Sequence, residues 1–362
     1  MIPLTVTSFN EDEKNELMDC LNKNWVTMGE KTKIFETEFA RYCGVEHALM
    51  TNNGTSALHI VLNAHGIHEG DEVIVPSLTF LSTAAAVSYC CAKPVFVDVE
   101  RDTYCIDPES IEKNITNKTK AIVPVHLYGH PADMQAIQEI AAQHNLFVVE
   151  DAAEAHGAMI NEKKVGSFGD AAIFSFFGNK IITTGEGGMV VTDDEQLYEK
   201  LKIIRNQGMD PNRKYWHPYL GFNYRPTDIQ AALGIAQLRK IDSIIEKKRK
   251  IAKHYDKILE EIHGITRHYE RKGYKSVYWM YSPLLRSGIL VEDLIKKLRE
   301  DGVDSRPFFP CLHWQPVYKE EKYLPVAEEL SRTGINLPSG PSMTEKDIEF
   351  VIETVVKNIQ DS

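Results

Sequence analysis

The chain has 362 residues, 43% hydrophobic and 26% charged, the ordinary balance of a globular protein. Its 41 basic and 52 acidic residues give a formal net charge of -11, which argues against general binding to nucleic acid or to an anionic membrane. No apolar run reaches the roughly 20 residues needed to span a bilayer, and residues 1–7 lack the pattern of a signal peptide.

Short apolar runs alternate with helical stretches from about residue 45 to residue 195. The predicted strands are 72–76, 94–98, 121–125, 146–150, 171–175 and 189–192. The predicted helices are 56–65, 81–91 and 131–144. Continuous β-branched and aliphatic runs indicate strands buried on both faces, which favours a mainly parallel sheet covered by helices on both sides.

The rest of the chain is predicted to be mostly helical. Its predicted elements are helices 195–205, 227–262, 291–300 and 344–359 and a strand at 278–285. Pro226 is expected to start the long helix, since proline suits a first helical turn. We expect three parts: an N-terminal segment 1–30 that packs on the small domain or on a partner chain, a large domain 31–240 and a small domain 241–362.

The six cysteines show no Cys-x-x-Cys pair and no Cys–His ligand spacing, so no metal site is predicted. We expect most of them to be buried and unpaired, as in a reducing cytoplasm. The adjacent Cys90 and Cys91 are expected to be structural and to lie within a packed helix.

Lys180 follows an apolar strand and lies in the segment 175–188, which is rich in glycine and hydroxyl groups. Glycines let a backbone approach a bound ligand closely. A partly desolvated lysine amine is a nucleophile for a carbonyl group. A lysine that merely lies in a loop fits this segment equally well.

Polar residues also follow other predicted strands, at the sheet edge where open α/β proteins bind ligands. Gly54, Thr55 and Ser56 open a helix, which predicts either an anion site or an ordinary N-terminal cap. Asp151 ends a strand, where it could meet a metal or a ligand nitrogen, or cap a following helix.

Three more sites add aromatic and polar groups. Phe80 could stack on a planar ring or belong to the core. Ser175 offers a second hydroxyl for the same anion. Asn223 and Arg225 precede the long predicted helix, where they could be ligands, helix caps or surface contacts. Together with Lys180, these groups indicate one ligand, a flat phosphorylated heterocycle with a carbonyl and a ring nitrogen, which is pyridoxal 5'-phosphate (PLP).

The chain resembles the sugar aminotransferases of the DegT/DnrJ/StrS family over essentially its whole length. The segments that carry the resemblance are 53–56, 150–154, 175–180, 185–188 and 221–225. The resemblance implies the fold-type I, aspartate aminotransferase-like architecture: an α/β large domain with a mainly parallel seven-stranded sheet, plus a small C-terminal α+β domain. It also implies a homodimer with shared active sites.

The resemblance assigns roles to the residues around the cofactor. Lys180 resembles the lysine that forms the internal aldimine and then moves a proton, and Asp151 resembles the partner of the ring nitrogen. Phe80 occupies the ring-stacking position. Glu154 stands where glutamine is common, near the cofactor's O3'. The phosphate ligands implied are Gly54, Thr55, Ser56, Ser175 and, from the neighbouring subunit, Asn223.

The resemblance further implies transfer of an amino group from L-glutamate to C4 of a nucleotide-linked 4-keto-6-deoxy sugar, foremost GDP-4-keto-6-deoxy-D-mannose, for polysaccharide such as O-antigen. Arg225 is placed to meet the donor's carboxylate. The substrate contacts expected besides it are Thr27, Glu186, His313, Trp314 and Tyr318. The last three could equally pack between the two domains.

Several alternatives stay open. The substrate could be a UDP- or dTDP-linked keto sugar, and the amino group could enter at C3. A regulatory protein that binds PLP without catalysis is disfavoured by the full set of Lys180, Asp151 and Ser175. Lys180 also argues against the family members that carry histidine there and dehydrate sugars. A nucleotide-binding dehydrogenase is disfavoured because no Gly-x-Gly-x-x-Gly follows the first strand.

Overall fold

A computed structural model describes residues 1–260, 262–286 and 288–360. The strands are β1 His47–Thr51, β2 Glu72–Pro76, β3 Lys93–Val97, β4 Thr119–Ile122, β5 Phe147–Asp151, β6 Met159–Ile160, β7 Lys163–Lys164, β8 Ala171–Ser175, β9 Gly188–Thr192, β10 Ile265–Thr266, β11 Tyr274–Lys275, β12 Leu284–Leu285, β13 Arg306–Pro307 and β14 Ile335–Asn336. The helices are α1 Glu11–Asn22, α2 Glu30–Cys43, α3 Gly54–His65, α4 Ser82–Tyr89, α5 Pro108–Lys113, α6 Met134–His144, α7 Glu195–Arg205, α8 Asp228–Arg239, α9 Ile241–Leu259, α10 Val291–Glu300, α11 Pro325–Thr333 and α12 Glu345–Gln360.

A seven-stranded sheet forms the centre of the fold, in the order β1-β9-β8-β5-β4-β2-β3. Strands β8, β5, β4, β2 and β3 are parallel to one another, whereas β9 runs antiparallel to both β1 and β8. The mainly parallel seven-stranded sheet predicted from the sequence is therefore confirmed. The carboxyl ends of β2, β5 and β8 lie on one side of the sheet, where a ligand is expected.

The predicted strand 278–285 is mostly irregular, and only Leu284 and Leu285 pair as a strand. Tyr278 has a φ of 47°, and Pro283 has no N–H to donate to a ladder. The predicted strand 121–125 is shorter for the same reason: it ends at Ile122, two residues before Pro124.

The predicted helix 227–262 is two helices separated at Lys240. Thr227 caps α8 by accepting a hydrogen bond from the N–H of Gln230, so Pro226 lies before the helix and not in its first turn. The predicted helix 81–91 ends at Tyr89. Cys91 lies beyond it, exposed and with a φ of 61°.

The buried apolar side chains form two clusters. The larger surrounds the seven-stranded sheet, and the smaller is built by α9, α10 and α12 with residues up to Ile359. Ile2 pairs with Val303 beside the smaller cluster, while α1 packs on α8. The domain boundaries drawn from the sequence stay a prediction. No helix in the described part of the chain is long and apolar enough to cross a membrane.

Candidate active site

A cavity of about 540 Å³ opens at the carboxyl edge of the central sheet. Volumes of this size are typical of sites for small molecules and cofactors. The predicted site residues that line it are Gly54, Thr55, Ser56, Phe80, Asp151, Glu154, Ser175, Lys180 and Glu186. Residues from four strand ends and one helix start thus converge on one space.

The start of α3 forms one end of the cavity. Asn53 caps the helix by accepting a hydrogen bond from the N–H of Ser56 at 2.8 Å. The hydroxyls of Thr55 and Ser82 lie 2.7 Å apart. A Cβ added to Gly54 would lie 2.9 Å from the Cβ of Ser175, so the helix start and the end of β8 are in direct contact. Free N–H groups and clustered hydroxyls suit a phosphate.

Asp151 is buried, and no helix follows it that it could cap. Its carboxylate accepts hydrogen bonds from the Thr83 hydroxyl at 2.9 Å and from the Ala153 N–H at 3.2 Å. Burial raises the pKa of Asp151, although these hydrogen bonds and the charge of Lys180 oppose the shift. A carboxylate whose charge is this poorly solvated gains from a cationic partner, such as a protonated ring nitrogen.

The amine of Lys180 faces the cavity between a carboxylate and an aromatic ring. Its Nζ lies 3.3 Å from Oε1 of Glu154 and 3.9 Å from the centre of the Trp279 ring. Glu154 is itself buried, and burial raises its pKa while Lys180 and the N–H of Tyr128 oppose that shift. The side chain of Lys180 is therefore held in the cavity with its nitrogen next to the carboxyl group of Glu154.

Phe80 is 58% exposed although it lines the cavity. Its ring centre lies 5.8 Å from that of Phe309, at an angle of 60°. An aromatic ring left open at a cavity wall is available to stack on a planar ligand. The alternative that Phe80 belongs to the core does not hold.

Three predicted ligands lie outside the cavity of their own chain. Asn223 and Arg225 are exposed and bond to each other, the guanidinium Nε donating to Oδ1 of Asn223 at 2.9 Å. Thr27 is exposed and pairs with Thr227 beside the start of α8. Their roles as ligands stay predictions. Glu186, by contrast, is exposed and lines the cavity.

The aromatic segment 308–318 is also placed away from the cavity wall, apart from Phe309. His313 is buried, with Nδ1 2.6 Å from the Ser77 hydroxyl. The Trp314 ring faces the guanidinium of Arg332. The Tyr318 hydroxyl lies 2.9 Å from that of Ser88. These contacts are those of packing residues, and substrate contact by His313, Trp314 and Tyr318 stays a prediction.

Sequence reasoning missed several residues of the site. Ser82 and Thr83 stand at the start of α4, where two hydroxyls after Phe80 were a usable signal. Tyr224 lines the cavity between two residues that were named. Trp279 reaches the lysine from a segment read as a plain strand, and no local pattern marks it.

The donor set fits PLP. A phosphate suits the helix start at Gly54 and Ser56, a ring nitrogen suits the buried Asp151, and a carbonyl suits the amine of Lys180. No cluster of three or more metal-binding side chains occurs among residues 1–260, 262–286 and 288–360.

Comparison with known proteins identifies the family. Residues 7–356 match the model of the DegT/DnrJ/EryC1/StrS aminotransferase family. The chain is 46% identical to the GDP-perosamine synthase of Caulobacter vibrioides, covering 97% of this chain and 96% of that one. It is 45% identical to the GDP-perosamine synthase of Escherichia coli O157:H7, with coverages of 98% and 97%.

A solved structure agrees with this match. The X-ray crystal structure of S. venezuelae DesV in complex with a ketimine intermediate superposes with a TM-score of 0.92 at 36% identity, covering 97% of this chain and 95% of DesV. The fold-type I architecture predicted from the sequence is thereby confirmed, as is an aminotransferase that uses PLP. The chain belongs to the DegT/DnrJ/EryC1/StrS aminotransferase family.

Proposed function

We propose that this enzyme transfers an amino group from L-glutamate to C4 of GDP-4-keto-6-deoxy-D-mannose, with PLP as its cofactor, and so produces GDP-perosamine. The observation that carries the proposal is the convergence of Lys180 and Asp151 on one cavity. The choice of substrate is supported by the 45–46% identity, over nearly the full length, to two enzymes named GDP-perosamine synthase.

When bound, PLP supplies a carbonyl that condenses with an amine and a ring that accepts electrons as a C–H bond breaks. In this proposal, the carboxylate of Asp151 keeps a proton on the ring nitrogen. The amine of Lys180 would move a proton from Cα of the amino donor to the carbonyl carbon of the cofactor, and in the second half of the reaction would move a proton from that carbon to C4 of the sugar. A positioned base of this kind contributes about 10²–10⁴-fold to the rate.

The remaining cavity residues bind and orient. Gly54, Thr55, Ser56 and Ser175 would hold the phosphate at the start of α3, where N–H groups and hydroxyls are available. Phe80 would cover one face of the ring with its exposed side chain. These contacts fix the reacting atoms and exclude water, which strengthens the electrostatic interactions inside the cavity.

The enzyme is proposed to act as a homodimer. Asn223 and Arg225 are exposed and do not line the cavity of their own chain, which supports a role in the cavity of a second subunit. There, Asn223 would reach the phosphate and Arg225 the carboxylate of L-glutamate, since a guanidinium binds carboxylates through paired hydrogen bonds.

The sugar nucleotide is proposed to enter over Glu186, which is exposed and lines the cavity. Thr27, His313, Trp314 and Tyr318 stay candidates for contacts to the nucleotide or sugar. A cytoplasmic location and a product destined for O-antigen or another polysaccharide also belong to this proposal; the free cysteines fit a reducing compartment.

The test is to incubate the PLP-loaded enzyme with L-glutamate and, separately, GDP-, UDP- and dTDP-linked 4-keto-6-deoxy sugars. The expected result is 2-oxoglutarate released in equal amount to an amino sugar only with the GDP substrate. Efficient amination of a UDP- or dTDP-linked sugar, or amination at C3, would replace the proposed substrate by one of these.

A further inference from the structure

The amine of Lys180 is held from two sides. Its Nζ lies 3.3 Å from Oε1 of Glu154 and 3.9 Å from the centre of the Trp279 ring. We infer that Glu154 and Trp279 form an amine seat, which holds Lys180 in place whenever its nitrogen is not bonded to the cofactor. This inference rests on the proposed function, because in that reaction the amino donor displaces the lysine from the cofactor in each cycle.

Glu154 is built to present one oxygen to the amine. The side chain is buried, and its other oxygen, Oε2, accepts the backbone N–H of Tyr128 at 2.9 Å. The carboxyl group is therefore fixed by the protein backbone before it meets Lys180. A glutamine here would lack the charge with which a carboxylate attracts an ammonium group.

Trp279 is fixed relative to the same lysine. It is 5% exposed, and its indole Nε1 donates a hydrogen bond at 2.7 Å to the carbonyl of Asn179, the residue before Lys180. The ring therefore follows the backbone that carries the lysine. An ammonium group 3.9 Å above an indole face is attracted by the ring electrons, and tryptophan is the strongest such partner.

Tyr128 supports both halves of the amine seat. Its φ of 51° is unusual for a bulky side chain, and such outliers cluster at functional sites. The conformation turns its N–H to Glu154, while its ring stacks on Trp279 at 6.2 Å and 16°. One residue in a costly conformation thus positions the acid and the ring together.

The reaction requires the released Lys180 amine to stay close to the atom that it deprotonates. A released lysine side chain has many rotamers, and each wrong one moves the amine away from the atom it must deprotonate. A carboxylate and a ring that hold the amine inside the cavity limit this freedom. Glu154 and Trp279 are accordingly positioning residues for Lys180.

The test measures the reactivity of Lys180 in the full-length protein after removal of the cofactor. Reductive methylation with formaldehyde is followed by peptide mass spectrometry in the wild type, Trp279→Leu, Glu154→Gln and the ring-retaining Trp279→Phe. Because Glu154 and Trp279 hold the amine and cover it, loss of either partner should free it to reach the reagent and speed methylation of Lys180 by roughly threefold to tenfold. Trp279→Phe should stay within about twofold of the wild type.

Lys248 serves as the internal control for loosening of the fold, because it is buried and donates to the carbonyl of Ser339 at 2.7 Å. Its methylation should not change in any variant. In the loaded enzyme, Trp279→Leu should lower kcat about tenfold and leave KM for L-glutamate within about twofold, since the seat acts after the donor has bound.

Two results would overturn the inference: unchanged methylation of Lys180 in both Glu154→Gln and Trp279→Leu, or an equal rise at Lys248. Glu154→Gln keeps the size of the side chain, so it decides the matter even if Trp279→Leu does not fold. Failure of the wild type to aminate any sugar would refute the proposed function instead, because the methylation assay requires no sugar.

Discussion

The contact between Gly54 and the end of β8 gives a sharp test of the phosphate site. In Gly54→Ala, the new Cβ would lie 2.9 Å from Cβ of Ser175 and 3.3 Å from its Oγ. Carbon atoms pack at about 3.5–4.0 Å, so the helix start and the strand end must separate by about 0.6–1 Å. Overpacking of this kind costs about 1–3 kcal/mol of folding stability.

The same displacement should weaken cofactor binding. A hydrogen bond of ordinary length that is stretched by 0.6–1 Å is lost, at a cost of about 1.5–3 kcal/mol when the acceptor is charged. We therefore expect the Kd for PLP to rise about tenfold to hundredfold. Titration of the cofactor-free protein with PLP, followed by absorbance, measures this Kd, and urea unfolding measures the stability.

Gly178→Ala is the matched control, because a Cβ at this exposed glycine meets no atom within 4 Å. It should leave both quantities near those of the wild type. The reasoning is refuted if Gly54→Ala binds PLP within about threefold of the wild type, or if Gly178→Ala weakens binding as much.

Three further predictions follow from burial and from the proposed dimer. Because burial raises the pKa of Asp151, the contribution of this carboxyl group to stability is lost as the pH rises through the raised pKa. Asp151→Asn should therefore abolish transamination yet make the cofactor-free protein more stable at pH 8, with a smaller gain at pH 5; urea unfolding at both pH values checks this. Burial lowers the pKa of His156 to about 3, so as the pH falls below about 6.5 this histidine takes up a proton in the unfolded chain but not in the folded one. The folded protein therefore loses stability in acid, and His156→Leu should remove about 1.4 kcal/mol of that loss per pH unit below pH 6. An unchanged dependence of stability on acid pH would contradict this. If Asn223 contributes to the cavity of the partner subunit, an equal mixture of inactive Lys180→Ala and Asn223→Ala subunits should regain about a quarter of wild-type activity. Half of the dimers are then mixed, and each mixed dimer has one intact site out of two. No recovery of activity would argue against shared sites.

The layout of the sheet and many of the residues that line the cavity could be predicted because the signals are local. Buried parallel strands are continuous apolar runs, and their ends are marked by polar residues such as Asp151 and Ser175. The carboxyl ends of such strands meet at one edge, so separate weak signals converge on Lys180. The edge strand β1 was missed because its sequence, His-Ala-Leu-Met-Thr, contains a single β-branched residue and gives a weak strand pattern.

The contacts around the lysine could not be predicted, because they depend on long-range packing. Trp279 approaches from a segment 99 residues further along the chain, and the left-handed turn at Tyr278 breaks the strand that the pattern indicated. Likewise, nothing local shows that Thr83 bonds Asp151 or that His313 is buried against Ser77. Asn223 lies outside the cavity of its own chain, so its role depends on an assembly rather than on one chain.

The central claim is that nitrogen passes from L-glutamate through this cavity to C4 of the sugar. The most direct measurement gives the PLP-loaded enzyme ¹⁵N-labelled L-glutamate and GDP-4-keto-6-deoxy-D-mannose and locates the label in the product by NMR. The account predicts ¹⁵N bonded to C4 of a GDP-linked sugar, and no labelled product from Lys180→Ala. A product labelled at another carbon, or an active Lys180→Ala variant, would contradict it.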